Sequence, residues 1–206
     1  MTYPIAPNGI LATIQGEGAL LGVPMVFVRL AGCSVGCPQC DTDYHVAERL
    51  TVSEIRARVE TVRGDASWVA VTGGEPADHD LAPLLQELRL CGRIALATSG
   101  MKGLGAAGRL VDFLSVSPHG QPNELKILSG AQLNLVPGLN GLRLDDWHTF
   151  NFDFSRFEHR WVTPLHSELG NAKYMADCLR FIRMRAFAGG ASWRLGVQAH
   201  KLWGIA

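Results

Sequence analysis

Short β-branched runs alternate with helical stretches along this chain, and that alternation restricts the fold more than any other property of the sequence. Met25–Leu30, Trp68–Thr72, Ile94–Thr98, Phe113–Val116 and Trp193–Val197 read as strands, and each of the first four runs out into Gly, Ser or Pro. Between them lie helical patterns. Thr51 and Glu54 have capping-box spacing ahead of Ile55, Val59 and Val62, and Leu81–Leu90 carries apolar residues at helical intervals. The longest pattern spans Asn171–Phe187, with Met175, Cys178, Leu179, Ile182 and Ala186 on one apolar stripe that reads as a core face. Strands separated by helices predict an α/β fold with a mostly parallel sheet or partial barrel, and ligands at the carboxyl ends of its strands. Gly138, Gly141 and the polar run Asp145–Asp153 break the periodicity, so Leu133–Phe157 reads as irregular.

No repeat, low-complexity tract or linker divides the 206 residues, which predicts one domain over 1–206 with a single sizeable core; 47% apolar content agrees. Lys plus Arg equals Asp plus Glu at 19 each, so no overall field favours nucleic acid or an anionic membrane, and a small molecule is the expected partner. The first residues carry neither a basic nor an apolar leader, and no stretch is long enough to span a bilayer, which predicts a cytoplasmic protein. Five cysteines, three of them clustered, suit a reducing compartment. Cys91 and Cys178 fall in apolar helical patterns and read as buried small hydrophobes.

The cluster is Cys33, Cys37 and Cys40, a C-x3-C-x2-C loop directly after the first strand. Four-iron clusters are normally held by four thiolates, so three leave one iron open to a ligand that brings an amine and a carboxylate. From a reduced cluster, an electron entering a bound sulfonium would split a carbon–sulfur bond. A zinc loop closed by His45 or Asp41 is the alternative, although structural zinc sites usually draw paired ligands from two separated knuckles. After the second strand comes Thr72-Gly73-Gly74-Glu75-Pro76. Its glycines allow close backbone approach to a ligand, and its carbonyls can accept from an ammonium group; an ordinary strand-to-helix turn would look the same.

Taken together, the cysteine loop and Gly73-Gly74-Glu75-Pro76 resemble the radical S-adenosylmethionine superfamily. Further segments resemble one family within it, 7-carboxy-7-deazaguanine synthase: Ile14–Gly18, Phe27–Leu30, Cys40-Asp41-Thr42, Val116-Ser117-Pro118, Glu124-Leu125-Lys126 and Val197–Lys201. The likeness runs from Ile14 to the C-terminus and is patchy across the middle. It implies an incomplete parallel β/α barrel of about six strands. It also implies a Mg²⁺-dependent enzyme that converts 6-carboxy-5,6,7,8-tetrahydropterin to 7-carboxy-7-deazaguanine with loss of ammonia, by radical ring contraction, toward queuosine and other deazapurines.

By this resemblance Cys33, Cys37 and Cys40 hold a [4Fe–4S] cluster, and Gly74 and Glu75 in their turn meet S-adenosylmethionine. Gln39, Cys40 and Asp41 add loop contacts to that cofactor, with Ser117, Pro118, His119 and Thr163 further round the sheet. Thr42 gives a hydroxyl oxygen to Mg²⁺, a hard cation that prefers oxygen ligands. Ile14, Gln15, Gly16 and Thr72 line the pterin pocket, Arg29 pairs with the substrate carboxylate in two parallel hydrogen bonds, and the terminal carboxylate of Ala206 faces the pterin. Without the family, Arg29 reads as a solvated or locally paired residue, and Thr42 as a loop cap. The family further implies a homodimer and an external one-electron reductant of flavodoxin or ferredoxin type.

Two positions depart from the family pattern. His119 stands where lysine is expected, and Thr163 where glutamine is expected, which leaves the cofactor contacts at both open. His79, His148, His159 and His166 are scattered without ligand spacing and read as surface or core residues. A glycyl-radical activase shares the cysteine loop but acts on a protein backbone, which predicts an open groove in place of a closed pocket containing Arg29 and Gln15. A non-catalytic zinc domain or electron carrier is the third class.

Overall fold

The structure, a computed structural model, describes residues 1–40, 42–166, 172–187 and 192–205. Its strands are β1 (Thr2–Ile14), β2 (Pro24–Leu30), β3 (Glu48–Thr51), β4 (Trp68–Gly73), β5 (Arg93–Thr98), β6 (Phe113–Val116), β7 (Gly130–Leu135), β8 (Phe157–Val162) and β9 (Arg194–Leu195). The helices are α1 (Val52–Val62), α2 (Ala82–Leu88), α3 (Leu144–Thr149), α4 (Ala172–Phe187) and α5 (Ala199–Trp203). The strands form one sheet in the order β3-β1-β2-β4-β5-β6-β7-β8-β9. From β2 to β9 every pairing is parallel, whereas β1 runs antiparallel to both β2 and β3. This is the expected open, partial barrel, with seven parallel strands of which β9 is only two residues long.

The sequence expectations for β2, β4, β5 and β6 agree with the structure to within a residue. The capping box also forms: Glu54 N–H donates to Thr51 Oγ1 at 3.3 Å and Thr51 N–H donates to Glu54 Oε2 at 2.7 Å, a pairing that typically stabilises a helix start by about 1 kcal/mol. β1 was not among the expected strands: it contains Pro4, Pro7 and Gly9, which argue against a strand, yet it pairs on both sides around a register shift between Ile5 and Ile10, where Asn8 takes φ +49°. Two expectations need correction. The stretch read as irregular holds the end of β7, all of α3 with its fully buried Trp147, and the start of β8. The α4 stripe is rotated: Cys178 and Phe181 are fully buried and Leu179 is exposed, while the predicted start Asn171 lies outside the described residues.

Helices cover the outer face of the sheet. Ile55, Val59, Leu84, Leu85 and Leu88 pack on Val26, Val28, Val69, Val71, Ile94 and Leu96, and farther along Trp147, Cys178 and Phe181 pack on Leu133, Leu135 and Val162. Cys91 and Cys178 are buried free thiols, as expected of small hydrophobes. Inside the barrel a separate cluster of Met25, Trp68, Ala70 and Ala95, with Phe27 and Phe113 against it, plugs the amino-terminal end of the strands. Inside the barrel, the ligand space bordered by the described residues lies toward the carboxyl ends. No helix among the described residues is long and apolar enough to cross a membrane.

Candidate functional site

Strand alternation decides what faces inward. Because successive side chains point to opposite faces, the partners of the buried valines and leucines are Phe27 and Arg29 on β2, Ala70 and Thr72 on β4, Ala95 and Ala97 on β5, and Gln132 and Asn134 on β7. A filled barrel would carry bulky branched residues at these positions. Here small and polar residues leave a cavity of about 260 Å³, with an alanine floor on one side and an amide and hydroxyl wall, Ser115, Ser117, Gln132 and Asn134, on the other. A second cavity of about 210 Å³ opens beside it against the cysteine loop and the glycine turn. Thr42, Thr72, Ala97, Ser117, Asn134 and Gln198 border both, so the two are halves of one space.

The turn after β4 is built by close approach of two backbones. Gly73 adopts φ +121°, and a Cβ there would fall 2.0 Å from the Leu30 carbonyl oxygen; on Gly74 it would fall 1.8 Å from the Gly32 oxygen. The amides of Gly74 and Glu75 donate to Leu30 and Gly32 at 2.9 and 3.0 Å, stitching the turn to the entry of the cysteine loop. The glycines thus serve strand packing as well as ligand access. The Glu75 carboxylate is 2% exposed and turned away from solvent. Oε1 accepts from Ala77 N–H at 2.9 Å and Thr98 Oγ1 at 2.6 Å, and Oε2 from Ser99 N–H at 2.8 Å and the Ser99 hydroxyl. Its side chain is occupied in holding the turn, and its backbone is engaged too, the N–H donating to Gly32 O and the carbonyl accepting from Asp78 N–H at 3.0 Å.

Cys33, Cys37 and Cys40 are all free thiols at one end of this space. Gly32 and Gly36 take positive φ and let the loop wind, with Cys40 N–H donating to Cys37 O at 3.1 Å. Among the described residues no three Cys, His, Asp or Glu groups stand close enough together to grip one ion. Burial, reinforced by the neighbouring Cys40 and Cys33, pushes the Cys37 thiol up to about 11. Bound iron reverses that cost, because a coordinating thiol is held deprotonated, so the donor set fits an iron–sulfur group. His119 Nδ1 lies 3.2 Å from Cys37 Sγ, and burial holds this imidazole below its ordinary pKa against a weaker opposing pull from Glu75. Asn140 ties the region together, donating from its side chain to His119 O at 2.6 Å and from its backbone to Gln39 Oε1 at 3.2 Å.

The other half brings Ile14, Gln15, Gly16 and Arg29 together. Glu17 N–H donates to Gln15 Oε1 at 3.2 Å, and Arg29 sits in register with Thr72 with its guanidinium 5.8 Å from the Phe27 ring centroid. The chain's end closes over this half: Ala199 N–H donates to Gly16 O at 3.0 Å, and Gln198 Nε2 donates to Glu17 Oε1 at 3.0 Å. Gly16 is needed there, since a Cβ would meet His200 at 2.5 Å.

Most sequence-predicted site residues therefore converge. Cys33, Cys37, Gln39, Cys40, Gly74, Glu75 and His119 line the cysteine half, Thr42, Thr72 and Ser117 the junction, and Ile14, Gln15, Gly16 and Arg29 the other half. Pro118 and Thr163 are buried and border neither cavity. Asp41 and Ala206 lie outside the described residues. Sequence reasoning missed Glu17, Gln132, Asn134, Gln198 and His200 as lining groups. Gln132 and Asn134 alternate with Leu133 and Leu135, a period-2 pattern that could have marked an inward polar face.

No protein-family model matches the chain. Among proteins of known name it is 33% identical over 212 residues to 7-carboxy-7-deazaguanine synthase of Synechocystis sp., covering 100% of this chain and 94% of that one. It is 37% identical over 211 residues to the protein of the same name from Haemophilus influenzae, covering 95% and 92%. Among solved structures it resembles the crystal structure of QueE from Escherichia coli with a TM-score of 0.69 and 26% identity, covering 97% of this chain and 95% of that one.

Proposed function

The chain belongs to the 7-carboxy-7-deazaguanine synthase family, and from that membership we propose that its cysteine half holds a [4Fe–4S] cluster with S-adenosylmethionine and its other half the pterin. The enzyme is a radical S-adenosylmethionine carbon–nitrogen lyase. It converts 6-carboxy-5,6,7,8-tetrahydropterin to 7-carboxy-7-deazaguanine with loss of ammonia, by radical ring contraction, in deazapurine biosynthesis. One continuous space, with three free thiols at one end and Arg29 and Gln15 at the other, is the observation that carries the division into halves.

Cys33, Cys37 and Cys40 would hold the cluster, and the Gly73–Gly74 turn beside them offers backbone groups to the cofactor's methionine end. When bound, the reduced cluster and S-adenosylmethionine supply the 5′-deoxyadenosyl radical. Arg29 grips the substrate carboxylate, and Gln15 with the backbone of Gly16 matches the donor and acceptor edge of the heterocycle. Ala70, Ala95 and Ala97 give that flat ring an apolar floor. Thr42, at the junction, is placed to offer its oxygen to Mg²⁺ between cofactor and substrate. The C-terminal segment excludes water by packing on Gly16 and Glu17. Gln39, Asp41, Glu75, Ser117, Pro118, His119 and Thr163 complete the cofactor side, Glu75, Pro118 and Thr163 by supporting its walls. A single domain, a homodimeric assembly, a flavodoxin-like or ferredoxin-like electron donor and a reducing, cytoplasmic setting complete the proposal.

A glycyl-radical activase would need a groove for a large partner, and a cavity of about 260 Å³ closed by the C-terminal segment disfavours it. The deciding experiment is anaerobic incubation of the iron- and sulfide-loaded protein with S-adenosylmethionine, reductant, Mg²⁺ and carboxytetrahydropterin. Formation of 7-carboxy-7-deazaguanine is expected. Zinc without labile sulfide, or cofactor cleavage that the pterin never alters, would overturn the reading.

A further inference from the structure

Thr163 does not reach the cavity, yet its hydroxyl acts on a residue that does. Thr163 Oγ1 donates to Asn134 Oδ1 at 2.7 Å in a fully buried contact. The backbone fixes both partners: Thr163 N–H donates to Leu135 O at 2.9 Å, and the main-chain oxygen of Asn134 accepts from Ser117 Oγ at 3.2 Å. Space for the hydroxyl comes from Gly196, where a Cβ would lie 1.9 Å from Thr163 Oγ1. Gly196 is itself held by donating to Val162 O at 2.8 Å.

A carboxamide carries an acceptor and two donors on one carbon, so binding the oxygen on one side directs the NH₂ to the other. For Asn134 that other side is the ligand space, since it borders both halves. The NH₂ is thereby presented to the ligand space, where a ligand acceptor can take its hydrogen bond.

The junction selects which acceptor. If the methionine end of the cofactor belongs at the cysteine loop and its 5′ carbon must face the pterin, the ribose is the part that crosses between the halves. We propose that Asn134 donates a hydrogen bond to a ribose oxygen of S-adenosylmethionine, and that Thr163 is the positioning residue that holds its carboxamide in the donating orientation. This rests on the cofactor placement proposed above. It also gives Thr163, shorter than the glutamine expected at its position, a definite task through its neighbour.

The test is S-adenosylmethionine binding by equilibrium dialysis to anaerobically reconstituted full-length protein, without reductant or pterin. Thr163→Val and Asn134→Ala should each weaken binding about five- to tenfold, the scale of one lost hydrogen bond, with iron content and cluster absorbance unchanged. Thr163→Ser should bind like wild type because it keeps the hydroxyl. The double variant should bind no more weakly than Asn134→Ala alone, since residues acting through one contact are not additive. If Thr163→Val loses its fold, Thr163→Ala takes its place, alone and combined with Asn134→Ala, and decides the matter by the same logic. Wild-type binding matched by Thr163→Val or by Asn134→Ala, or losses that multiply in the double variant, would overturn this assignment alone. Failure of the cluster-loaded wild type to bind would overturn the cofactor placement and this assignment with it.

Discussion

Replacing Glu75 by Gln changes one oxygen to NH₂ and nothing else in shape, and the surroundings make that exchange costly. Four donors converge on the carboxylate, two on each oxygen. The hydroxyls of Thr98 and Ser99 can rotate and accept from an amide, but the backbone N–H of Ala77 faces Oε1 and that of Ser99 faces Oε2, and neither can turn away. Whichever oxygen becomes NH₂ therefore meets a fixed donor. One stranded N–H costs about 1–3 kcal/mol, and the two bonds left on the amide oxygen lose their charge assistance, about 1 kcal/mol more. Relief from burying a charge offsets part of this. The net expectation is a loss of about 2 kcal/mol of stability, or a fall of about 4–8 °C in melting temperature for a chain of this size. Urea unfolding of the apo chain followed by circular dichroism reads it as a lowered midpoint at constant m-value. A midpoint within about 0.5 kcal/mol of wild type would refute the claim that the carboxylate is the keystone of the turn.

Other substitutions separate the parts of the site. Gly74→Ala should shift the turn off the cysteine loop at a cost of about 3 kcal/mol, read as iron and sulfide content well below wild type after identical reconstitution, because its Cβ meets backbone at 1.8 Å. Arg29→Ala should lower kcat/KM for the pterin about a thousandfold with an intact cluster spectrum; loss of the cluster would mean that Arg29 has a different role. Gly16→Ala should displace His200 and the C-terminal segment, raising KM for the pterin about tenfold while S-adenosylmethionine binding stays unchanged.

The parallel strands β2, β4, β5 and β6 were legible because each is a short apolar run bounded by turn residues, and α1 because its capping box is local chemistry. β1 was not legible, since Pro4, Pro7 and Gly9 carry their usual local meaning and only pairing with two neighbours overrides it. β7 was obscured for a related reason: its inward residues are Gln132 and Asn134, chosen for the cavity, so its apolar half alone looks too sparse for a buried strand. The cysteine loop and glycine turn were legible as motifs, but the close contact between Gly74 and Gly32 is long-range and has no sequence signature.

The same reasoning explains where this chain departs from the family pattern without losing its cavity. Position 163 meets the site only through Asn134, so a shorter side chain is tolerated if it still supplies a hydroxyl and if residue 196 has no Cβ. Thr163 and Gly196 are thus packed as a pair, since a Cβ at 196 would meet the Thr163 hydroxyl. Gly196→Ala should accordingly mimic Thr163→Val, weakening S-adenosylmethionine binding five- to tenfold. Thr163→Ser in the Gly196→Ala background should not recover that loss, because the added Cβ meets the hydroxyl oxygen itself, which serine keeps. A full recovery of binding in that double variant, or a loss in Gly196→Ala matched by a fall in melting temperature from unfolding of the β9 edge, would refute the pairing.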